Sequence, residues 1–477
     1  MSRTPLDQWR NSQWRNAQWR NKAGAWVQRG LDQRLRLAVT GLSRSGKTAF
    51  ITSLVNQLEH AGLDARLPHW PPAAEGRLLG IQRVPSRHHH VPAFGYEAAL
   101  GQLSATPPCW PEPTRGISEI TLAIRYRPKN RLKRKLQDTA TLYLEIVDYP
   151  GEWLLDLPLL GMSYAQWSEQ QRQLLQTPAL AELATPWLQA GALLAADGPA
   201  EDGKLAPLAA AYTQWLHDIK RECGAYLVQP GRFILPGEYR DAPMLQFVPW
   251  VWDPVPGGLN DSHHYGMMEA RFEHYKKHLV QGFYKDFFAG FDRQIVLVDC
   301  LTPLNRGPDS FADLRRALNA ILQSFEYGKS GWWQRLFAPR IDKLLFAATK
   351  ADHLTPDQHG RLATLLGTLV RGGHRHARLS GIDIHTLALA AIRATSSGQV
   401  SHQGETIPAL QGRRLDKLDA VALYPGEVPE SLPEEAFWRQ QGFDFTEFAP
   451  PEWQPEQPLP HLRLDQALAF LLGDKLS

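Results

Sequence analysis

Gly41-Leu-Ser-Arg-Ser-Gly46-Lys47-Thr48 is the stretch of this chain best equipped for chemistry. It fits the pattern G-x-x-x-x-G-K-[ST], and does so once. Gly41 and Gly46 let the backbone turn, so that the N–H groups of Ser43, Arg44, Ser45 and Gly46 can converge on phosphate oxygens. Lys47 can neutralise β and γ phosphates, and Thr48 offers a hydroxyl to Mg²⁺. A chance glycine turn before a helix is the plain alternative. The apolar run Arg34–Thr40 before the loop and the amphipathic stretch Thr48–His60 after it argue against chance. They supply the strand and the helix N-terminus that the chemistry requires.

Two further sites stand at strand ends. Ala140–Val147 (ATLYLEIV) reads as a strand and opens into Asp148-Tyr-Pro-Gly151. An aspartate there can hold a Mg²⁺-bound water, and the glycine N–H can meet a γ-phosphate. Later, Leu344–Ala348 leads into Thr349-Lys350-Ala351-Asp352, which resembles the [NT]-K-x-D base-recognition motif of GTPases. Asp352 can accept both N–H donors on the Watson–Crick edge of guanine, a pair that adenine lacks. The stem of Lys350 can lie against the base. The loop Arg393-Ala394-Thr395-Ser396 follows the last strand, where GTPases place a backbone N–H against guanine O6, a role that the resemblance gives to Ala394.

Other candidates surround these motifs. Thr114, in Pro113-Thr114-Arg115-Gly116, can complete a Mg²⁺ shell, and Arg115 can stabilise a transferring phosphoryl group as an arginine finger does. The plain alternative for both is loop structure after a proline. His88, His89 and His90 lie in a Pro-rich stretch. They show no carboxylate or cysteine partner at useful spacing, and the expectation is an exposed loop rather than a metal centre.

These residues must be positioned by a sheet. Strands at Arg34–Thr40, Ser118–Tyr126, Ala140–Val147, Gln294–Val298, Leu344–Ala348 and His385–Ile392 alternate with helical stretches at Thr48–His60, Phe311–Phe325 and Thr355–Val370. That order predicts an α/β fold with a mostly parallel sheet. Residues 61–113 read as an insertion with little regular structure beyond a helix near Tyr96–Leu103. Between the strands at 118 and 140, KNRLKRKLQD reads as a basic hairpin tip. Residues 155–290 read as a helical insertion, with helices at Tyr164–Gln176, Leu208–Glu222 and Met267–Phe288. The tail 398–477 is Pro-rich and closes with a helix near Leu464–Leu472. The domain plan is therefore an arm (1–30), nucleotide-domain parts at 31–60, 114–154 and 291–397, insertions at 61–113 and 155–290, and a C-terminal extension (398–477).

The arm repeats QWRN three times, placing Trp9, Trp14 and Trp19 among arginines. On a helix these tryptophans step by about 140° each and spiral rather than forming one stripe. Burial against the body is one reading; contact with an anionic membrane surface or a partner is the other.

Composition narrows the class. The chain has 477 residues, 43% of them apolar, with 52 Lys+Arg against 49 Asp+Glu, which excludes a globally basic nucleic-acid binder. Three separated cysteines do not make a disulfide framework or a zinc ribbon. No apolar stretch reaches the roughly 18–20 residues of a bilayer span, and no apolar leader opens the sequence. A cytoplasmic protein is expected, with peripheral inner-membrane contact through the arm.

Taken over nearly its whole length, the sequence resembles the bacterial YcjX family of P-loop nucleotide-binding proteins. GLSRSGKTAFITSLVNQL, EIVDYPGEWLLDLPLL, TKADH and PHLRLDQALAFLLGDKL carry the resemblance. It implies a Ras-like core with large insertions, stress and phage-shock regulation, and an inner-membrane partner of the YcjF type. It also implies GTP/GDP and Mg²⁺ as ligands, with Gly41, Gly46, Lys47 and Thr48 at phosphate and metal, Asp148 and Gly151 at the switch, and Lys350 and Asp352 at the base. One departure matters. Glu152 follows Gly151 where GTPases often carry a catalytic glutamine. It can position water or act as a base, or its charge can keep hydrolysis slow; a solvated surface glutamate is the plain alternative. The expected function is a slow, Mg²⁺-dependent GTPase switch. The alternatives are a nucleotide-holding adaptor without turnover and an ATPase.

Overall fold

The run Gln33–Gly41 (QRLRLAVTG) is wholly buried from Leu37 onward and forms the central strand β1. Strands buried on both faces read as apolar runs because helices cover both sides of a parallel sheet. The computed structural model describes residues 33–61, 67–114, 116–129, 138–252, 254–325, 341–379, 381–402, 405–440 and 445–476. The N-terminal arm, Arg115 and most of the basic hairpin tip lie outside them.

Six more strands complete the main sheet: β2 (Leu78–Val84), β3 (Ser118–Tyr126), β4 (Ala140–Asp148), β5 (Arg293–Val298), β6 (Lys343–Ala348) and β7 (Asp383–Ala388). Their order is β2-β3-β4-β1-β5-β6-β7. β1 runs parallel to β4 and β5, and β5–β6 and β6–β7 are parallel pairs. β3 is antiparallel to β4 over the full length of both, which makes them a hairpin. The five parallel strands therefore end at one edge of the sheet, the edge where ligands bind in open α/β folds. Gly41, Asp148, Thr349 and the loop at 393–396 all emerge there.

The stretch 61–113 holds more order than its composition suggests. β2 pairs antiparallel with β3 and extends the sheet at its edge. Its pattern of half-buried and exposed positions hides it from a search for apolar alternation. The tail departs similarly: β8 (Ser396–His402), β9 (Glu405–Arg413) and β10 (Ala420–Leu423) form a separate antiparallel sheet.

The helices are α1 (Lys47–His60), α2 (Tyr96–Leu103), α3 (Tyr164–Leu174), α4 (Pro178–Ala192), α5 (Asp202–Asp218), α6 (His264–Tyr275), α7 (Pro308–Ser324), α8 (His359–Leu379) and α9 (Leu464–Leu472), besides a 3₁₀ helix over Gly151–Gly161 and shorter helical turns. α3 starts with a capping box in which Ser163 and Gln166 satisfy each other's backbone N–H. Thr355 occupies the cap position of the helical stretch with Pro356 at its first position, and a 3₁₀ turn at Pro356–Gln358 leads directly into α8 at His359. α1 and α9 share a core on one face of the sheet.

On the other face one continuous core joins the sheet to the insertion. Ala38, Val147, Val296 and Phe346 of the sheet belong to the same cluster as Trp167, Trp187, Tyr212, Trp215 and Phe272 of the insertion. Trp187 meets Tyr212 and Trp252 edge-on at 5.2 and 5.5 Å, and Trp167 stacks on Phe272 at 5.1 Å. Much of the high tryptophan content serves this packing. Trp187→Ala should cost about 3–5 kcal/mol. Because the core is continuous, urea unfolding of the variant should shift as a single transition, read by far-UV circular dichroism and tryptophan fluorescence together. An early transition that removes part of the helical signal together with the fluorescence change, ahead of the rest of the chain, would mean that the insertion unfolds alone. Among the described residues no helix is long and apolar enough to cross a membrane.

Candidate functional site

The phosphate loop links β1 to α1. Gly46 has φ 81° and Arg44 φ 63°, left-handed conformations that turn successive N–H groups inward. A Cβ on Gly41 would lie 2.6 Å from the Leu297 carbonyl oxygen, so only glycine fits between β1 and β5. Lys47 Nζ donates to the Gly41 carbonyl at 3.1 Å, which holds the ammonium across the loop. Ser43 and Ser45 flank Arg44, and the Ser45 hydroxyl is buried without a hydrogen-bond partner.

Asp148 ends β4 beside this loop. Both its carboxylate oxygens are buried and lack a hydrogen-bond partner. Burial pushes the carboxyl above its ordinary value, while the Lys47 ammonium and the Thr114 hydroxyl act the other way. The Thr48 and Thr114 hydroxyls stand 3.3 Å apart. A buried carboxylate with orphaned oxygens, next to two hydroxyls, is a donor set of hard oxygens that fits Mg²⁺. Thr48, Thr114 and Asp148 are thus brought together. Arg115 lies outside the described residues.

Gly151 presses directly on the phosphate loop: a Cβ there would sit 2.6 Å from the Gly41 carbonyl oxygen. Glu152 follows, and it is not a solvated surface residue. Its side chain is 3% exposed. Oε1 accepts from Ser43 Oγ at 2.9 Å and from Lys220 Nζ at 2.5 Å. Burial pushes the carboxyl up, but Lys220 and then Lys47 outweigh it and hold it at about 2. Glu152 is therefore ionised at any working pH. Lys220 lies in the helical turn Ile219–Cys223 that continues α5, so the insertion reaches the segment that follows Asp148. The loop around residue 230 clamps the same segment. A Cβ on Gly231 would lie 2.1 Å from the Glu152 carbonyl oxygen, and the Gly231 N–H donates to Asp156 at 2.8 Å.

The base motif follows β6. Thr349 N–H donates to the Val298 carbonyl at 2.9 Å and fixes the turn. Lys350 adopts φ 59°, and its ammonium pairs with Asp299 at 2.8 Å and with Glu447 at 3.4 Å. Burial works against the charge on Lys350, yet Asp299 and Glu447 raise its pKa overall. Asp352 is buried, and its Oδ2 accepts the Ala394 N–H at 2.7 Å. The Thr395 hydroxyl donates to the Asp352 carbonyl. An acceptor and a donor are thus presented side by side. That pattern complements an edge carrying one acceptor beside donors, as guanine O6, N1 and N2 do.

Sequence reasoning missed three residues here. Asp299 carried a readable signal, since it follows a parallel strand at the ligand edge. Lys220 and Glu447 carried none, because only the folded chain brings them to the site. The histidine run needs a correction. His88 has a carboxylate partner after all: its Nδ1 lies 2.9 Å from Glu119, and Glu145 completes a group whose ligand atoms lie within 4.8 Å of one another. Strand pairing, rather than sequence spacing, creates this cluster. Arg34 already pairs with Glu145 at 2.9 Å, and Ser86 and His88 both contact Glu119, so the group reads as a buried ion network.

A sheet with this strand order, a glycine-rich loop running from its central strand into a helix, and an aspartate at the end of the neighbouring strand define a P-loop nucleotide-binding protein with a Ras-like core. The chain belongs to the YcjX-like family: the family model "YcjX-like family, DUF463" matches residues 35–476. It is 51% identical over 457 residues to the "Ras-like GTPase YcjX" of Escherichia coli, covering 95% of this chain and 98% of that protein. It is 44% identical over 474 residues to the "Ras-like GTPase YcjX" of Shewanella oneidensis, covering 95% and 97% respectively.

Proposed function

We propose that this chain binds guanine nucleotides with Mg²⁺ and hydrolyses GTP slowly, as a molecular switch. The observation that carries the reading is the Asp352 carboxylate against the Ala394 N–H, on the same sheet edge as the phosphate loop. Both relatives above bear the name "Ras-like GTPase".

Each residue has a task. The loop N–H groups and Lys47 bind the phosphates. Thr48, Thr114 and Asp148 would hold Mg²⁺, which supplies positive charge against the developing charge on the phosphoryl oxygens. The Gly151 N–H is carried by a segment in contact with the loop, so a γ-phosphate would bias that segment's position. Glu152 is a poor proton acceptor with a pKa near 2. It can orient a water but would activate one poorly, so turnover is expected to be slow.

The test is to identify the nucleotide retained after gentle purification, and then to compare GTP and ATP hydrolysis with Mg²⁺. Bound GDP or GTP, with GTP turned over preferentially, is the expected result. Retained adenine nucleotide, or equal rates on ATP, would refute the guanine reading. The ion-paired Glu152 also favours a second reading, an adaptor that holds nucleotide without turnover. Single-turnover hydrolysis of bound GTP separates the two.

A further inference from the structure

We infer that Lys220, supplied by the helical insertion, is the positioning residue that lets this site accept a triphosphate. Its ammonium offsets the Glu152 carboxylate, which would otherwise repel a terminal phosphate. The inference rests on the guanine-nucleotide reading above and adds the element that distinguishes triphosphate from diphosphate.

The geometry makes the problem plain. Glu152 sits against the mouth of the phosphate loop, on the Ser43 hydroxyl at 2.9 Å. Gly151 packs on the start of that loop, which keeps Glu152 beside it. A buried carboxylate in this position faces the region where a third phosphate must enter. Charges this close interact strongly once water is displaced. A diphosphate lacks the group that would meet Glu152.

Lys220 answers that charge. Its Nζ lies 2.5 Å from Glu152 Oε1, with only 18% of its side chain exposed. The neighbouring Arg221 turns outward to Asp218 and Glu222. Lys220 alone of the pair points at the switch. Lys47 is the other cation near Glu152, but its task is the phosphate itself. Removing Lys220 would leave Glu152 with Lys47 as its nearest cation and set the carboxylate in competition with the nucleotide for it.

The experiment is a charge cycle. GDP and a non-hydrolysable GTP analogue are titrated with Mg²⁺ into the wild type, K220M, E152Q and the double variant, followed by calorimetry. K220M keeps an unbranched stem and removes the charge. It should weaken the GTP analogue tenfold or more while GDP changes less than threefold. Adding E152Q to K220M should restore the analogue-to-GDP affinity ratio to the wild-type value or above. A merely structural Lys220 would weaken both nucleotides alike, and E152Q would rescue neither; that result overturns the inference. If K220M does not fold, E152Q alone decides. Its analogue-to-GDP ratio should rise, because the repelling charge is gone and Lys220 is released toward the phosphate. An unchanged or lower ratio overturns the inference. A wild type that binds neither guanine nucleotide removes the underlying reading as well, and is recognised before any variant is compared.

Discussion

Lys47→Ala will remove most of the affinity of this protein for nucleoside triphosphates. The ammonium is held across the phosphate loop by the Gly41 carbonyl at 3.1 Å, where it is presented to β and γ oxygens. Hydrogen bonds to charged groups contribute roughly 1.5–3 kcal/mol each, so losing two of them costs about 3–6 kcal/mol. That corresponds to a loss of roughly 10²–10⁴-fold in Kd. A second effect follows from Asp148. Burial already raises its pKa, and Lys47 is the first of the groups acting against that rise. Without Lys47 the carboxyl titrates at higher pH, so protons compete with Mg²⁺ more strongly. Calorimetry with GTP analogue and Mg²⁺ at two pH values reads both effects. Affinity equal to wild type at both would show that the loop does not hold the phosphates.

The insertion gains meaning beside this loop. It is built around a tryptophan and tyrosine core continuous with the sheet, and it contributes Lys220 and the clamp at Gly231 to the segment after Asp148. A shift of that segment must therefore strain contacts to the insertion. On the proposed switch reading, such a packed element is what a bound phosphate would bias.

How much of this was legible in the sequence depended on whether the signal was local. The phosphate loop, Asp148-x-x-Gly151 and Thr349-Lys350-x-Asp352 are runs of a few residues whose geometry follows from strand–loop–helix order. Helix α9 and helix α2 appear where apolar periodicity places them. β2 escaped because an edge strand half open to solvent need not alternate, and its partner β3 lies beyond a long loop. β8 and β9 were masked by polar residues and by Pro408, and β10 by its four-residue length, in strands that pair only with one another. Glu152 was visible as a departure from glutamine, but its burial was not. That burial depends on Lys220 and Gly231, placed by helices far along the chain. Tertiary contacts of this kind decide whether a carboxylate is a base, a surface charge or half of an ion pair.

Base choice gives the sharpest outcome. In this structure Asp352 accepts the Ala394 N–H at 2.7 Å, so an acceptor and a donor already face each other. Guanine can replace this bond, taking the Ala394 N–H on O6 and giving N1–H and N2–H to the carboxylate. Adenine presents the reverse order, an amine at position 6 and an acceptor at N1. It would leave Asp352 buried against a lone pair, with a desolvation penalty added. Each charged hydrogen bond gained by guanine contributes roughly 1.5–3 kcal/mol. An advantage of about 2.7 kcal/mol or more should favour GDP over ADP at least ~100-fold. Asp352→Asn exchanges one acceptor oxygen for an amide donor. It should weaken GDP by a similar factor and favour XDP, since xanthine carries a carbonyl where guanine carries its amine. The Ala394 N–H keeps its partner through the remaining amide oxygen, and the phosphate loop is untouched, so diphosphate binding should survive at reduced affinity. Competition among GDP, ADP and XDP on both proteins reads the change directly. Equal GDP and ADP affinity in the wild type would remove Asp352 from base selection, and a variant that loses GDP without gaining XDP would assign it to holding the 393–396 loop instead.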